Sequence, residues 1–285
     1  IFGLPLVGIV PESSVRGGGR SARVPRRNSS AVAVADSFRF IRARLRYFNI
    51  DRDLRALAVV SALPGDGKTT ITHWLADATA ATGAHVLVIE SDLRRPTLAE
   101  KLGVKSGPGL ADVLIATRRL EDVAQRVPLA TLDSEEASER GFDVIVAGAL
   151  PPNPAEMLES HAMTMLLDQA REAYDLVLLD TTPLGLSDAL PLLRRVDGIT
   201  VVASVGRSRR DVSNRVRATL TSLDAPLLGV IANRVRVRSH TLYGYGYGYR
   251  HRAGHGPASP ADVAGRTNGS VPAGPVAAEG VELPT

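Results

Sequence analysis

At 285 residues, 44% of them hydrophobic, the chain has the length of one or two domains and enough apolar content to bury a sizeable core. Zero cysteines exclude a disulfide framework, thiolate metal sites and a cysteine nucleophile, and no apolar run approaches the roughly 18 residues of a bilayer span. The net charge of +4 is uneven: residues 1–55 hold 11 Arg against 4 acids and the remainder is net −3, which argues against the globular body as a nucleic-acid binder.

In chain order, an apolar stretch, Ile1–Pro11, precedes a Gly-, Arg- and Ser-rich run to Ser30, so residues 1–35 are expected to be a basic linker. There is no initiator Met and no cleavable signal pattern, and the chain reads as the cytosolic part of something longer. From Asp36 a helix is expected. Asp36 and Arg39 share a face at i, i+3, continued by Arg42 and Arg46, beside an apolar stripe of Phe38, Ile41, Leu45 and Phe48. A solvated basic face and an interface both fit that pattern.

Short apolar runs then alternate with amphipathic stretches. The runs are Ala56–Val60, Val86–Ile89, Phe142–Ala147, Leu176–Leu179, Ile199–Ala203 and Leu227–Ala232. Unbroken apolarity predicts strands buried on both faces, as in a parallel sheet. Ile71, Trp74, Leu75 and Ala78 predict one helix, and Val212, Val216, Leu220 and Leu223 another. Asn153 and Pro154 read as the cap and first turn of a helix running to about Tyr174. The alternation implies an α/β, doubly wound, mainly parallel sheet with helices on both faces, spanning 36–235. A tyrosine-rich segment over 236–252 and a Gly/Ala/Pro/Val tail over 253–285, expected to be disordered, complete the chain.

The chemistry begins after the strand at Leu57–Ser61. There Ala62-Leu63-Pro64-Gly65-Asp66-Gly67-Lys68-Thr69-Thr70 leads into a helix. Gly65 and Gly67 let successive N–H groups turn inward around phosphate oxygens, and the helix start adds its positive end. Lys68 would bridge the β- and γ-phosphates and Thr69 would offer its hydroxyl to Mg²⁺. Pro64 to Thr70 are thus the expected nucleotide-binding loop, with Ala62 standing where the first glycine of G-x-x-x-x-G-K-[ST] is usual.

Three acids follow apolar strands. Glu90 and Asp92 sit at the end of Val86–Ile89 and, two residues apart, are expected to face one pocket. Asp180 follows Leu176–Leu179 and, together with Asp92, is expected to hold Mg²⁺. No N-K-x-D guanine motif occurs, which favours ATP; Asn233, after Leu228–Ala232, could pair with the adenine edge or cap the strand. Finally, Tyr243, Tyr245, Tyr247 and Tyr249 alternate with glycines. Four phenols on a glycine-spaced arm read as phosphoryl acceptors, or as a sticky edge strand.

Together these blocks resemble the bacterial tyrosine kinases of capsule and exopolysaccharide synthesis, the CpsD/CapB/Wzc type. The resemblance runs from about Asp36 to Tyr249. It is carried by P-G-D-G-K-T-T at 64–70, D-x-R-x-P at 92–96, P-P-N-P-A-E-M-L at 151–158, L-D-T-T-P at 179–183, G-V-I-A-N-R-V at 229–235 and the tyrosine cluster. It implies a P-loop fold related to the Min/Par-type ATPases and autophosphorylation of the C-terminal tyrosines with Mg·ATP. It assigns Lys68 and Thr69 to the first Walker motif, Glu90 and Asp92 to the second and Asp180 to the third, with Glu90 in the place of an aspartate that activates the attacking tyrosine. Asp36-x-x-Arg39-x-x-Arg42 resembles the family's ring-building E-x-x-R-x-x-R motif, which implies a homo-oligomeric ring and reaction in trans. The implied partners are a membrane chain-length regulator, fused upstream or separate, and polysaccharide-synthesis enzymes as substrates, at the cytoplasmic face of the membrane, with this segment itself soluble. Arg16 to Arg27 would suit an anionic inner leaflet. Two rivals stand beside this reading: a Par/Min-like ATPase switch without protein phosphorylation, although positions 62–66 lack the second lysine usual in such switches, and a non-catalytic nucleotide-binding regulator.

Overall fold

The computed structural model describes residues 3–12, 29–48, 53–130, 140–207 and 210–236, all within one compact unit ending at His240. The tyrosine cluster and the tail lie outside the described residues.

The strands are β1 (Leu6–Pro11), β2 (Ala56–Ser61), β3 (Val86–Glu90), β4 (Gln125–Pro128), β5 (Gly141–Ile145), β6 (Leu176–Asp180), β7 (Gly198–Ser204) and β8 (Leu227–Val235). They form one sheet in the order β1-β8-β7-β2-β6-β3-β5-β4, parallel except for the edge pair β4–β5. The parallel strands therefore all deliver their carboxyl ends to one edge of the sheet. The helices are α1 (Ser29–Phe48), α2 (Lys68–Ala80), α3 (Leu98–Leu102), α4 (Leu110–Leu114), α5 (Leu120–Val123), α6 (Pro154–Glu159), α7 (His161–Ala173), α8 (Leu190–Leu193) and α9 (Arg210–Ser222), with a 3₁₀ turn at Ser187–Ala189.

Both faces are covered, which is why the strands read as continuous apolar runs. Ala56, Ala58 and Val60 pack with Met163, Leu166 and Leu167 of α7 and Val216 and Leu220 of α9. The alternate residues Leu57 and Val59 pack on the opposite face with Phe38 and Ile41 of α1 and Ile71 and Leu75 of α2. The doubly wound expectation holds, and all six predicted strands are present.

Three local features differ from the sequence reading. The sheet begins at Leu6, not after residue 36: β1 adds in parallel to the β8 edge and buries Val7 and Val10 under α1. This stretch reads as part of a linker because it is short and bounded by prolines. An edge position tolerates Pro, since one side of the strand needs no ladder donor. β4, with the sequence Gln-Arg-Val-Pro, is too polar to register as a strand and pairs only at the other edge. The helix expected from Pro154 to Tyr174 is two helices. Ser160 is extended (ψ 159°) and its hydroxyl accepts from Met163 N–H at 3.3 Å, capping α7.

Candidate active site

β2 ends at Ser61, and six residues separate it from the start of α2 at Lys68. Gly65 and Gly67 have φ of +80° and +102°, the left-handed region that glycine takes without strain. At Gly67 there is a second constraint, because the Asn233 side-chain amide occupies the space a Cβ would need. Asn233 Nδ2 donates to the Asp66 carbonyl at 2.8 Å, and its Oδ1 accepts from Arg234 N–H at 2.9 Å. Its amide therefore holds the loop from the end of β8, and the residue also lines the same cavity as that loop. Asp66 closes the loop from within: its Oδ2 accepts from Leu63 N–H at 3.0 Å, and burial pushes its carboxyl above the usual range against that bond. Ala62 is buried and has no left-handed backbone, so the position does not demand the usual glycine.

Lys68 opens α2 and is buried, with Nζ 4.0 Å from Asp92 Oδ2. Pro64, Gly65, Gly67, Lys68, Thr69 and Thr70 all line one cavity of 1330 Å³. Asp92 lines it as well, reaching in from the loop after β3, with its Oδ1 accepting from Arg95 N–H at 3.1 Å. That volume exceeds the ~300–1,000 Å³ of an ordinary ligand pocket.

Glu90 does not join Asp92 in that lining. Its Oε1 accepts from the N–H groups of Thr97 and Leu98 at 2.6 and 2.7 Å, and its Oε2 accepts from Ala147 N–H at 3.1 Å. The expectation that the two acids face one pocket is corrected here: β3 ends at Glu90, so strand alternation does not extend to Asp92. Burial pushes the Glu90 carboxyl up, opposed by the three N–H groups.

Asp180, the register partner of Glu90 on β6, is fully buried. Burial pushes its carboxyl up to about 6, although Lys68 and a hydrogen bond from Thr69 pull it down. Its Oδ1 is buried without a partner. An orphaned carboxylate oxygen beside a threonine hydroxyl is a pair of hard-oxygen donors, and it fits Mg²⁺, which takes one or two carboxylates and keeps several waters.

Three comparisons bear on this site. Residues 57–245 match the CobQ/CobB/MinD/ParA nucleotide binding domain. The chain is 34% identical over 211 residues to tyrosine-protein kinase YwqD of Bacillus subtilis, covering 74% of this chain and 85% of YwqD. This chain belongs to the bacterial tyrosine kinases. The solved kinase domain of the Escherichia coli tyrosine kinase ETK aligns with a TM-score of 0.71 at 29% identity, over 86% of this chain and 96% of that one. Full-length etk of Escherichia coli, 32% identical over 217 residues, is much longer, and the chain spans 28% of its length.

Set in this family, the remaining sequence-predicted residues divide. Asp36 and Arg39 form an exposed 2.7 Å ion pair on α1, and Arg42 is half-buried with an unpartnered Nε. They stand away from the cavity lining, although Phe38 of the same helix reaches it. Tyr243, Tyr245, Tyr247 and Tyr249 lie outside the described residues. Two features escaped the sequence reading. Arg94 donates from Nε and Nη2 to the buried Asp188 carboxylate, tying the loop after β3 to the 3₁₀ turn after β6. Lys101, on α3, lines the same cavity as the phosphate loop. The one signal for it was the scarcity of lysine, which occurs only at 68, 101 and 105.

Proposed function

We propose that this chain is a Mg·ATP-dependent protein-tyrosine autokinase that phosphorylates the Tyr243–Tyr249 cluster of a neighbouring copy. The observation that carries this is the shared cavity. A lysine-bearing phosphate loop and Asp92 line one space, Asp180 stands beside Lys68 at the same strand edge, and the space exceeds an ordinary ligand pocket. The glycine-spaced phenols of the sequence supply acceptors of the right chemistry.

Phosphoryl transfer demands positioning and charge neutralisation more than covalent help. The loop amides and Lys68 would cradle the β- and γ-phosphates. Thr69 and Asp180 would hold Mg²⁺, with Asp92 near enough to share it through water. When bound, the metal supplies positive charge to the β- and γ-phosphate oxygens. The phenol, with an unperturbed pKa of about 10, needs a proton acceptor. With both Glu90 oxygens engaged by backbone N–H groups, Asp92 is the carboxylate in the lining that can serve. The phenolic oxygen bonds to the γ-phosphorus as the bond to the β–γ bridging oxygen breaks. ADP leaves with the electron pair, and the phenolic proton passes to Asp92.

The exposed Asp36–Arg39 pair on α1 supports a contact between copies through the ring motif that the chain resembles. Accumulated phosphates, each about −1.5 to −2 charge units, would repel neighbouring tails and loosen that assembly. A role in capsule or exopolysaccharide production belongs to this reading through the family resemblance of the sequence, and a membrane chain-length regulator is the proposed partner. Among the described residues no helix is long and apolar enough to cross a membrane.

The test is incubation with γ-labelled ATP and Mg²⁺. Label should appear on the C-terminal tyrosines, vanish in Lys68→Met and vanish in the four-Tyr→Phe variant. Mixing Lys68→Met chains with four-Tyr→Phe chains should restore label on the former. ATP turnover without label on the chain would establish the switch reading instead.

A further inference from the structure

Among 34 basic residues only three are lysines, and two of these line the same cavity. Lys68 has its place in the phosphate loop. Lys101 has had none. It lies in the five-residue helix α3, half-buried, and forms no ion pair with any described residue. The charges that bear on it are Asp180, which attracts it, Lys68, which repels it, and then Glu90 and Glu100. It also bears on His73 of α2, which burial and the Lys101 charge push down to about 4. Burial and Lys68 together outweigh the acids and draw the Lys101 ammonium below its ordinary range.

This placement is enforced. Glu90 Oε1 grips the N–H groups of Thr97 and Leu98, the cap and first residue of α3, and the Leu98 side chain is fully buried beneath them. Glu90 Oε2 ties the same carboxylate to Ala147, just past β5. α3 is thus anchored at its first turn, with Lys101 one turn further on and in the cavity wall. A half-buried ammonium held near a second ammonium, with no carboxylate in ion-pair range, is a poor arrangement for an empty site. It becomes a favourable one when anionic oxygens enter between the two lysines.

We propose that Lys101 is a second phosphate-binding cation of this site, reaching the γ-phosphoryl oxygens from α3, and that Glu90 is the positioning residue that holds α3 for it. This deepens the nucleotide reading above and rests on it. A lysine early in the loop, absent from positions 62–66, is replaced by one arriving from the helix that follows β3.

Trp74 is the single tryptophan and lines the same cavity, so its fluorescence reports nucleotide entry in the full chain. With Mg²⁺ present, wild type, Lys101→Met, Lys101→Arg and Lys68→Met are titrated with the β,γ-imido analogue of ATP and with ADP. Lys101→Met is expected to weaken the triphosphate analogue about tenfold and ADP less than about twofold, the loss of one charge-assisted hydrogen bond. Lys101→Arg, which keeps a cation and guards against a packing effect of Met, is expected to recover most of that loss. Equal weakening of both nucleotides, no weakening of either, or an Lys101→Arg variant as poor as Lys101→Met would overturn the Lys101 assignment alone. Failure of wild type to bind either nucleotide would overturn the cavity reading with it.

Discussion

Replacing Asp180 by Asn should stabilise the nucleotide-free chain at neutral pH while abolishing phosphoryl transfer. Asp180 ends β6, between β2 and β3 in the middle of the sheet, and burial raises its carboxyl from 3.8 to about 6 in spite of Lys68 and Thr69. A folded-state pKa above the unfolded one means that folding favours the protonated form. The stabilising contribution of this group is complete below the unfolded value of 3.8 and is lost as pH rises through about 6. Two units at about 1.36 kcal/mol each give a loss of about 3 kcal/mol, which Asn, having nothing to ionise, does not suffer. Urea unfolding of both proteins in EDTA, from about pH 4 to 8, reads the difference between their unfolding free energies, so titrations common to both cancel. The pH-dependent part of that difference should grow from under about 1 kcal/mol at pH 4 to about 3 kcal/mol above pH 7. For a domain of this size that is roughly 6–12 °C in Tm. A difference that stays flat with pH, or that moves toward wild type as pH rises, refutes the placement of a desolvated, ionised Asp180 at the sheet edge.

Glu90→Gln leaves at least one of three backbone N–H groups without an acceptor, because an amide nitrogen cannot accept; it should cost about 1–3 kcal/mol in urea unfolding and weaken triphosphate binding as Lys101→Met does. Asp92→Asn, by contrast, should leave stability nearly unchanged and remove transfer, measured as label on the tyrosine cluster. Asn233→Ala releases the loop carbonyl of Asp66 and should weaken nucleotide binding by about 1 kcal/mol, equally for adenine and guanine analogues; a loss confined to adenine would restore a base-reading role. Removing residues 1–12 strips Val7 and Val10 from beneath α1, at about 1.5–3 kcal/mol each, and opens the β8 edge; hydrogen exchange should accelerate in α1 and β8, and unchanged protection there would show that β1 is dispensable.

The core of the fold was legible because its signal is local. Strands such as Val86–Glu90, buried on both faces, show as apolar runs, and the loop between β2 and α2 carries its glycines where left-handed backbone is needed. What could not be read depends on distant partners. β1 becomes a strand only because the β8 edge and the α1 stripe of Phe38 and Ile41 meet it, many residues away. Ser160 looks like a mid-helix serine until its hydroxyl is seen to cap α7. The pleat rule applied to Glu90 and Asp92 fails one residue past the end of β3, where the pleat stops. Lys101 lies on a helix too short for any periodicity, and only its neighbours around the cavity give it meaning.

The three acids at this sheet edge share a chemical type, and backbone placement gives them different tasks. Glu90 meets three N–H groups and is fixed as a strut, so proton transfer would have to break the bonds that hold α3. Asp180 meets burial with one oxygen left open, the state in which a carboxylate gains most from a divalent cation. Asp92 is half-buried, 4.0 Å from Lys68 Nζ, and keeps contact with the cavity from a loop that no strand ladder holds. The methylene that distinguishes Glu from Asp at position 90 then has a physical sense. The longer side chain bridges from the end of β3 to both the first turn of α3 and Ala147, and α3 in turn carries Lys101 in the cavity wall.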